Sequence, residues 1–343
     1  MRLQASKYVH FLSMTFFSLI IFAVAGYLGM GCEGTKNPAV TPDKITFALT
    51  TLQAMGSLAH IAHKKGYFAE EGVEITPQMH SFGKAALNAV IEGKADMATV
   101  AETPIMFSII KGDEIYIIAT IETSNKNEAI IGRKDKGILK PKDLRGKRIG
   151  VTFGTNGEFF MHSFFVANGI ERKEVEIINL RPDEMLDAMI GGKVDAASTW
   201  HFPLIMIQKT LGDKTIIFYD EHLYTETFNV VVKQDFVKKH PDAIKKVIRA
   251  LIKAEGFIKQ NPGESKSIVA DSIGIDKALL SEVWGEYDFK VTLTQSLLVA
   301  LEDETRWAIK SKSFEKSKMP NYLDFIYAEG LQAVKPEAVR IIR

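Results

Sequence analysis

Short apolar runs alternate with amphipathic stretches along most of the chain. Apolar residues cluster at 45–49, 73–79 and 96–100, while 57–65 and 84–92 carry them at the spacing of a helix buried on one face. After Arg133 the rhythm restarts, with strand-like segments at 148–151, 175–180 and 195–198 and helical ones at 157–168 and 182–190. Strands separated by helices of this length predict parallel pairing and therefore an α/β sheet in each stretch. From Pro241 the pattern turns almost wholly helical, over 241–260, 265–271, 276–287, 294–310 and 321–330. Such a block predicts a helical C-terminal layer packed back on the first lobe.

The two stretches carry an internal repeat. Residues 87–99, LNAVIEGKADMAT, align without a gap to 186–198, LDAMIGGKVDAAS, and Pro104 and Pro203 fall at matching places beyond them. Each copy predicts a helix ending at glycine, Gly93 or Gly192, then a short strand, then a helix with proline in its first turn. A chain of 343 residues has room for two cores. Lobe one is expected to comprise 43–122 plus 234–343 and lobe two 123–233, with crossings near 122–127 and 229–233.

The beginning of the chain changes the picture in another way. Arg2 and Lys7 precede an uncharged run over 11–30, then Gly31 and Cys32, then a polar, Pro-containing stretch. The pattern predicts an export signal over 1–31 and a tether over 32–42, whose first residue, Cys32, is lipidated if the resemblance that follows holds. The run is also long enough to span a bilayer, so a retained helix stays open. Leu28-Gly29-Met30-Gly31-Cys32 resembles the lipobox of bacterial lipoproteins, whose cysteine is diacylated, although here the leucine stands four places before the cysteine instead of three. Either outcome puts the folded part outside the cytoplasmic membrane, at the periplasm or cell surface.

Charge and residue counts then exclude several classes. The formal charge is +1, and no stretch concentrates Lys and Arg into a phosphate-neutralising stripe, so nucleic acid is not an expected partner. Cys32 is the only cysteine, which excludes an internal disulfide, a thiolate zinc site and a thiol nucleophile within the fold. No His pair at helical spacing brackets a Glu, so neither a metal nor a catalytic group is expected, and no cofactor.

In open parallel sheets ligands sit beyond the carboxyl ends of the strands. The loops there are 50–56, 80–84 and 101–103 in lobe one, and 152–158, 199–202 and 224–228 in lobe two. They offer Gln53, Met55, Ser81, Phe82, Lys84, Glu102 and Thr103 on one side and Thr155, Asn156, Glu158, Trp200, His201, Glu226 and Thr227 on the other. The Gly- and Thr-rich loop at 152–157 suits a polar or anionic group but lacks the lysine of a phosphate loop; it also reads as a plain capping turn. Trp200 reads as a cleft wall or an interlobe packing residue, and Glu102 as a ligand partner or a glutamate at a helix start. By the repeat, Glu102 and His201 occupy equivalent places and should face one gap from opposite lobes. These loops hold more acid than base, which tilts the expectation toward an amine-bearing or heteroaromatic ligand.

Four segments together resemble a known family. They are 59–68, AHIAHKKGYF, with Glu71-Gly72; the paired Gly-Lys-x-Asp units; 143–150, DLRGKRIG; and Trp200-His201-Phe202-Pro203. They resemble the periplasmic substrate-binding proteins of nitrate, taurine, aliphatic-sulfonate and thiamine-precursor ABC importers. The resemblance implies a two-lobed type II periplasmic-binding-protein fold, with mainly parallel sheets flanked by helices, and a monomer that delivers a small molecule to a permease and ATPase. A sulfonate, a taurine-like amine and a thiamine-precursor-like heteroaromatic all remain open as ligands. The same fold also serves a thiamine-pyrimidine synthase and ligand-sensing receptors, but the synthase carries an internal cysteine-rich motif that is absent here.

Overall fold

Residues 42–311 and 318–342 are described by a computed structural model; Cys32 and the expected export signal and lipid anchor lie outside them. The first lobe opens with β1 (Asp43–Thr50), α1 (Ser57–Lys64), α2 (Tyr67–Glu70), β2 (Val73–His80), α3 (Gly83–Ile91), β3 (Met97–Ala101), α4 (Glu102–Lys111) and β4 (Ile115–Ser124). The second holds β5 (Glu128–Arg133), β6 (Arg148–Val151), α5 (Asn156–Ala167), β7 (Glu176–Asn179), α6 (Met185–Ile190), β8 (Ala196–Trp200), α7 (His201–Leu211) and β9 (Thr215–Phe218). The chain returns through β10 (Glu226–Lys233). It continues as α8 (Gln234–Lys239), α9 (Pro241–Gln260), α10 (Pro262–Ile273), α11 (Lys277–Val283), β11 (Asp288–Thr294), α12 (Gln295–Lys310), α13 (Ala328–Val334) and β12 (Val339–Arg340).

Two sheets result, ordered β12-β11-β4-β10-β3-β1-β2 and β7-β6-β8-β5-β9. Each contains a parallel trio, β2-β1-β3 or β7-β6-β8, flanked by an antiparallel strand, β10 or β5. That flanking strand is in each case the first one after the chain has crossed between lobes. The first sheet is covered by one large apolar cluster; the second is sandwiched between two smaller ones, built around α5 on one side and around α6 and α7 on the other.

The repeat folds twice in the same way because its glycine and aspartate make the same bonds. Gly93 and Gly192 stand at φ 74° and 70°, and the next residue's N–H returns to the helix, Lys94 to Ala89 O at 2.8 Å and Lys193 to Ala188 O at 2.9 Å. Asp96 and Asp195 then pair with the first strand of the trio. Thr46 N donates to Asp96 Oδ2 at 2.7 Å and Arg148 N to Asp195 Oδ2 at 3.0 Å, while the aspartate N–H groups bond to Thr46 O and Arg148 O at 2.9 and 2.8 Å.

Two boundaries differ from the sequence reading. Residues 226–233, assigned there to lobe two with a crossing at 229–233, form β10, which pairs with β3 and β4 of the first sheet. A run buried almost throughout and bonded along both edges is a central strand, not a connector. The return crossing therefore lies at 219–225, and the outward one at 125–127 between β4 and β5. The C-terminal block is also not wholly helical: β11 pairs with β4, and its residues alternate between exposed and buried.

Candidate functional site

The strand ends of β1, β3 and β8 and the starts of α3, α4, α5 and α7 converge where the lobes meet. Gln53, Phe82 and Lys84 from lobe one and Thr155, Asn156 and Trp200 from lobe two line a crevice there, with Pro104 and Phe228. Its volume is about 10 Å³, room for one water at most. The lobes are shut across it. Trp200 Nε1 donates to Leu52 O at 2.9 Å, and Lys84 Nζ donates to Phe153 O at 2.7 Å. Gly154 makes the second contact possible: it stands at φ +70°, and a Cβ there would lie 2.6 Å from Lys84 Nζ. Burial, reinforced by the charge of Lys111, lowers the Lys84 pKa.

Behind the crevice the expected acids turn away from the gap. Glu102 is fully buried and accepts from Thr227 N at 2.8 Å and Thr227 Oγ1 at 2.9 Å, and from the Tyr224 hydroxyl. Thr103 donates to Glu304. Glu226 accepts from Asn127 Nδ2 at 2.6 Å and Asn156 Nδ2 at 2.7 Å, and Asn156 also bonds to Glu128. Carboxyl meets carboxyl twice, Glu102 with Glu304 and Glu128 with Glu226. Burial pushes Glu102 up to about 8 and Glu128 up to about 7, and holds Glu226 and Glu304 well above the carboxylate range. His201 is likewise enclosed, with Nδ1 2.7 Å from the Tyr287 hydroxyl and Nε2 2.7 Å from Glu286.

The structure thus brings six of the fourteen candidates together as crevice walls. Glu102, Thr103, Glu226 and Thr227 belong to the polar network beneath, and His201 to a link between the lobes. The expectation that Glu102 and His201 point into one gap is not met, although both do open equivalent helices. Met55 is a core residue, and Ser81 is half-buried, its carbonyl accepting from Leu52 N. Glu158 accepts from Gly154 N at 2.7 Å and borders a neighbouring chamber of about 1390 Å³. Sequence reading missed that chamber, whose Phe107 and Trp307 sit amid ordinary helical patterns, and it placed Tyr224 in a candidate loop and Asn127 in a crossing without naming either as a site residue. Among the described residues no cluster of His, Cys, Asp and Glu is arranged to hold a metal ion.

Two α/β lobes joined by two crossings, with side chains from both meeting at the strand ends, form the architecture of periplasmic-type solute-binding proteins. The solved alkanesulfonate-binding protein SsuA from Xanthomonas axonopodis pv. citri, bound to MOPS, has this fold: TM-score 0.74 at 16% identity, covering 84% of this chain and 100% of that one. Residues 57–265 match the family model described as NMT1/THI5 like, and the chain belongs to that family. It is 24% identical over 304 residues to a putative aliphatic sulfonates-binding protein of Bacillus subtilis, covering 87% of this chain and 91% of that protein. It is 26% identical over 215 residues to the taurine-binding periplasmic protein of Escherichia coli, covering 61% and 66%.

Proposed function

We propose that the protein captures a small organic anion between its lobes and delivers it, as a monomer without catalysis, to the permease and ATPase of an ABC importer. The observation that carries the ligand class is the polarity of the interlobe contacts. Both groups reaching across the crevice, the Trp200 indole and the Lys84 ammonium, are donors resting on backbone carbonyls. An anion entering between the lobes replaces those carbonyls with stronger, charged acceptors. A cation that carries no acidic group offers them nothing. The acids that tilted the sequence reading toward an amine are already occupied, Glu102 and Glu226 within the network and Glu158 at Gly154. The start of α1 is also taken, since Gly56 N and Leu58 N donate to Glu122 at 3.0 and 3.1 Å. The names of the relatives, sulfonate- and taurine-binding, fit the same class.

Calorimetric titration with ethanesulfonate and taurine, beside cationic amines of similar size, tests this reading. Binding of the two sulfonates, taurine being a zwitterion, is expected; binding of amines that carry no anionic group, without either sulfonate, overturns it.

The domain is held outside the cytoplasmic membrane through acylated Cys32. Cys32→Ala should leave the fold intact and release the protein from the membrane fraction. Continued membrane retention, with residues 1–31 still present by mass, identifies a retained helix instead.

A further inference from the structure

Beside the crevice, and joined to it at Lys84 and Pro104, lies the chamber bordered by α3, α4, α5 and α12. We propose that it is a second compartment of the ligand site, and that it takes the apolar body of an amphiphilic organic anion, the size of a fused aromatic ring system, whose charged group rests at Lys84. The proposal builds on the anion-binding reading above and adds to it the shape of the anion.

Volume makes the first argument. At about 1390 Å³ the chamber exceeds the roughly 300–1,000 Å³ usual for small-molecule sites, whereas the crevice is shut to about 10 Å³. A two-carbon sulfonate would leave nearly all of that space to water.

The walls make the second. The Trp307 ring meets Phe107 edge-on at 5.8 Å and Phe159 at 5.5 Å, and lies 5.4 Å from the His162 ring. Trp307 belongs to α12 of lobe one, while Phe159 and His162 belong to α5 of lobe two, so one aromatic wall spans both lobes. Burial lowers the His162 pKa to about 4, which keeps that ring neutral at pH 7. Opposite stand Leu87 and Ile91, and Val166 lies at the rim, 79% exposed. The Phe107 and Trp307 rings are only partly buried, so together with Val166 they give the chamber apolar surface from which an apolar body displaces water.

Charge makes the third. Lys84, Lys111 and Arg172 line the chamber. Its two acids are already engaged, Glu158 with Gly154 N and Asp113 with the Ser108 hydroxyl at 2.7 Å. Lys84 has three N–H donors and spends one on Phe153 O, and the nearby charge of Lys111 adds to what an anion would relieve.

The test compares naphthalene-2-sulfonate with ethanesulfonate by calorimetry, in the parent protein and in a Val166→Asp/Ala167→Asp variant, whose new charges stand on the chamber wall and not beside Lys84 as Lys111 does. Both positions are exposed and lie outside the crevice, and melting curves confirm that the variant folds. The added carboxylates should weaken naphthalene-2-sulfonate at least about tenfold and leave ethanesulfonate within about twofold. Equal loss for both ligands, or no loss for either, overturns the compartment. So does a parent protein that binds ethanesulfonate and not naphthalene-2-sulfonate, which leaves the anion reading standing. If the parent binds neither anion, that reading fails and the compartment fails with it.

Discussion

Glu102, Glu128, Glu226 and Glu304 are all enclosed, and none forms an ion pair among the described residues. Desolvation without a compensating cation is met by keeping protons, and each carboxyl sits where a neighbouring carboxyl or amide can share one. Their folded-state pKa values lie above the unfolded ones, so the folded protein binds more protons across that interval. The stability they contribute is full below about 4.3 and declines as pH rises through 7 to 8. His60 and His162 work from the other side. Burial lowers both to about 4, so their contribution is complete above about 6.5 and lost as pH falls toward 4. The thermal midpoint should therefore fall from pH 6.5 to pH 8.5, and Glu102→Gln, which keeps the shape of the protonated acid, should flatten that decline. Parallel declines in the two proteins would show that Glu102 is ionised in the folded state. Of this network the sequence reading named Glu102 and Glu226 but not Glu128 or Glu304, and where any of them faces was not legible. Glu102 is turned inward by Tyr224 and Thr227, more than 120 positions away along the chain, and no local pattern records such a partner.

Elements were legible in proportion to how local their causes are. The two Gly-Lys-x-Asp junctions could be recognised from thirteen residues each, because glycine in the left-handed region is a local device and the aspartate stands at a fixed step behind it, although its bonds reach a strand 50 or 47 positions earlier. β11 and β10 could not be assigned in the same way. β11 is seven residues of alternation between two helices, and β10 belongs to the first sheet only because β3 and β4 lie on either side of it. The junctions yield a test of their own. Asp96→Ala leaves the Thr46 N–H without its acceptor, at a cost of about 1–3 kcal/mol. Asp195→Ala should cost the same and up to about 1 kcal/mol more, since Arg148 also loses a paired carboxylate while remaining partly solvated. Urea unfolding reads both. The asparagine variants, which keep an acceptor oxygen, should recover most of the loss at Asp96; if they recover none, charge is what holds the junction.

For the whole molecule, closure rests on few links. Trp200 to Leu52, Lys84 to Phe153, His201 to Tyr287 and Glu286, Lys209 to Glu282, and Trp307 against Phe159 and His162 join one lobe to the other, and next to the crossings Asn156 and Glu128 also meet Glu226. A hydrogen bond contributes about 0.5–1.5 kcal/mol net, so the polar links together contribute only a few kcal/mol toward the shut form, and the freedom lost by fixing two lobes and their side chains opposes them by a similar amount. Reopening them to water costs little. The crossings at 125–127 and 219–225 are short and lie side by side at the lobe junction, which lets a few backbone angles swing whole lobes. A ligand that adds contacts only in the shut form then shifts the balance by its differential affinity. Trp200 was legible as a residue of this junction, but only the structure shows that its indole N–H is the link and that its ring is 3% exposed. Trp200→Phe keeps most of the ring and removes the bond to Leu52. Because the bound anion takes that N–H over from Leu52, binding should weaken by about tenfold or more, the equivalent of one hydrogen bond to a charged acceptor. In solution scattering the parent protein should contract when anion is added, and Trp200→Phe should start larger without ligand and need more anion to reach the same radius of gyration. A radius that is the same in both proteins and unmoved by saturating anion would mean that the lobes form one rigid body, and that ligand enters without any hinge.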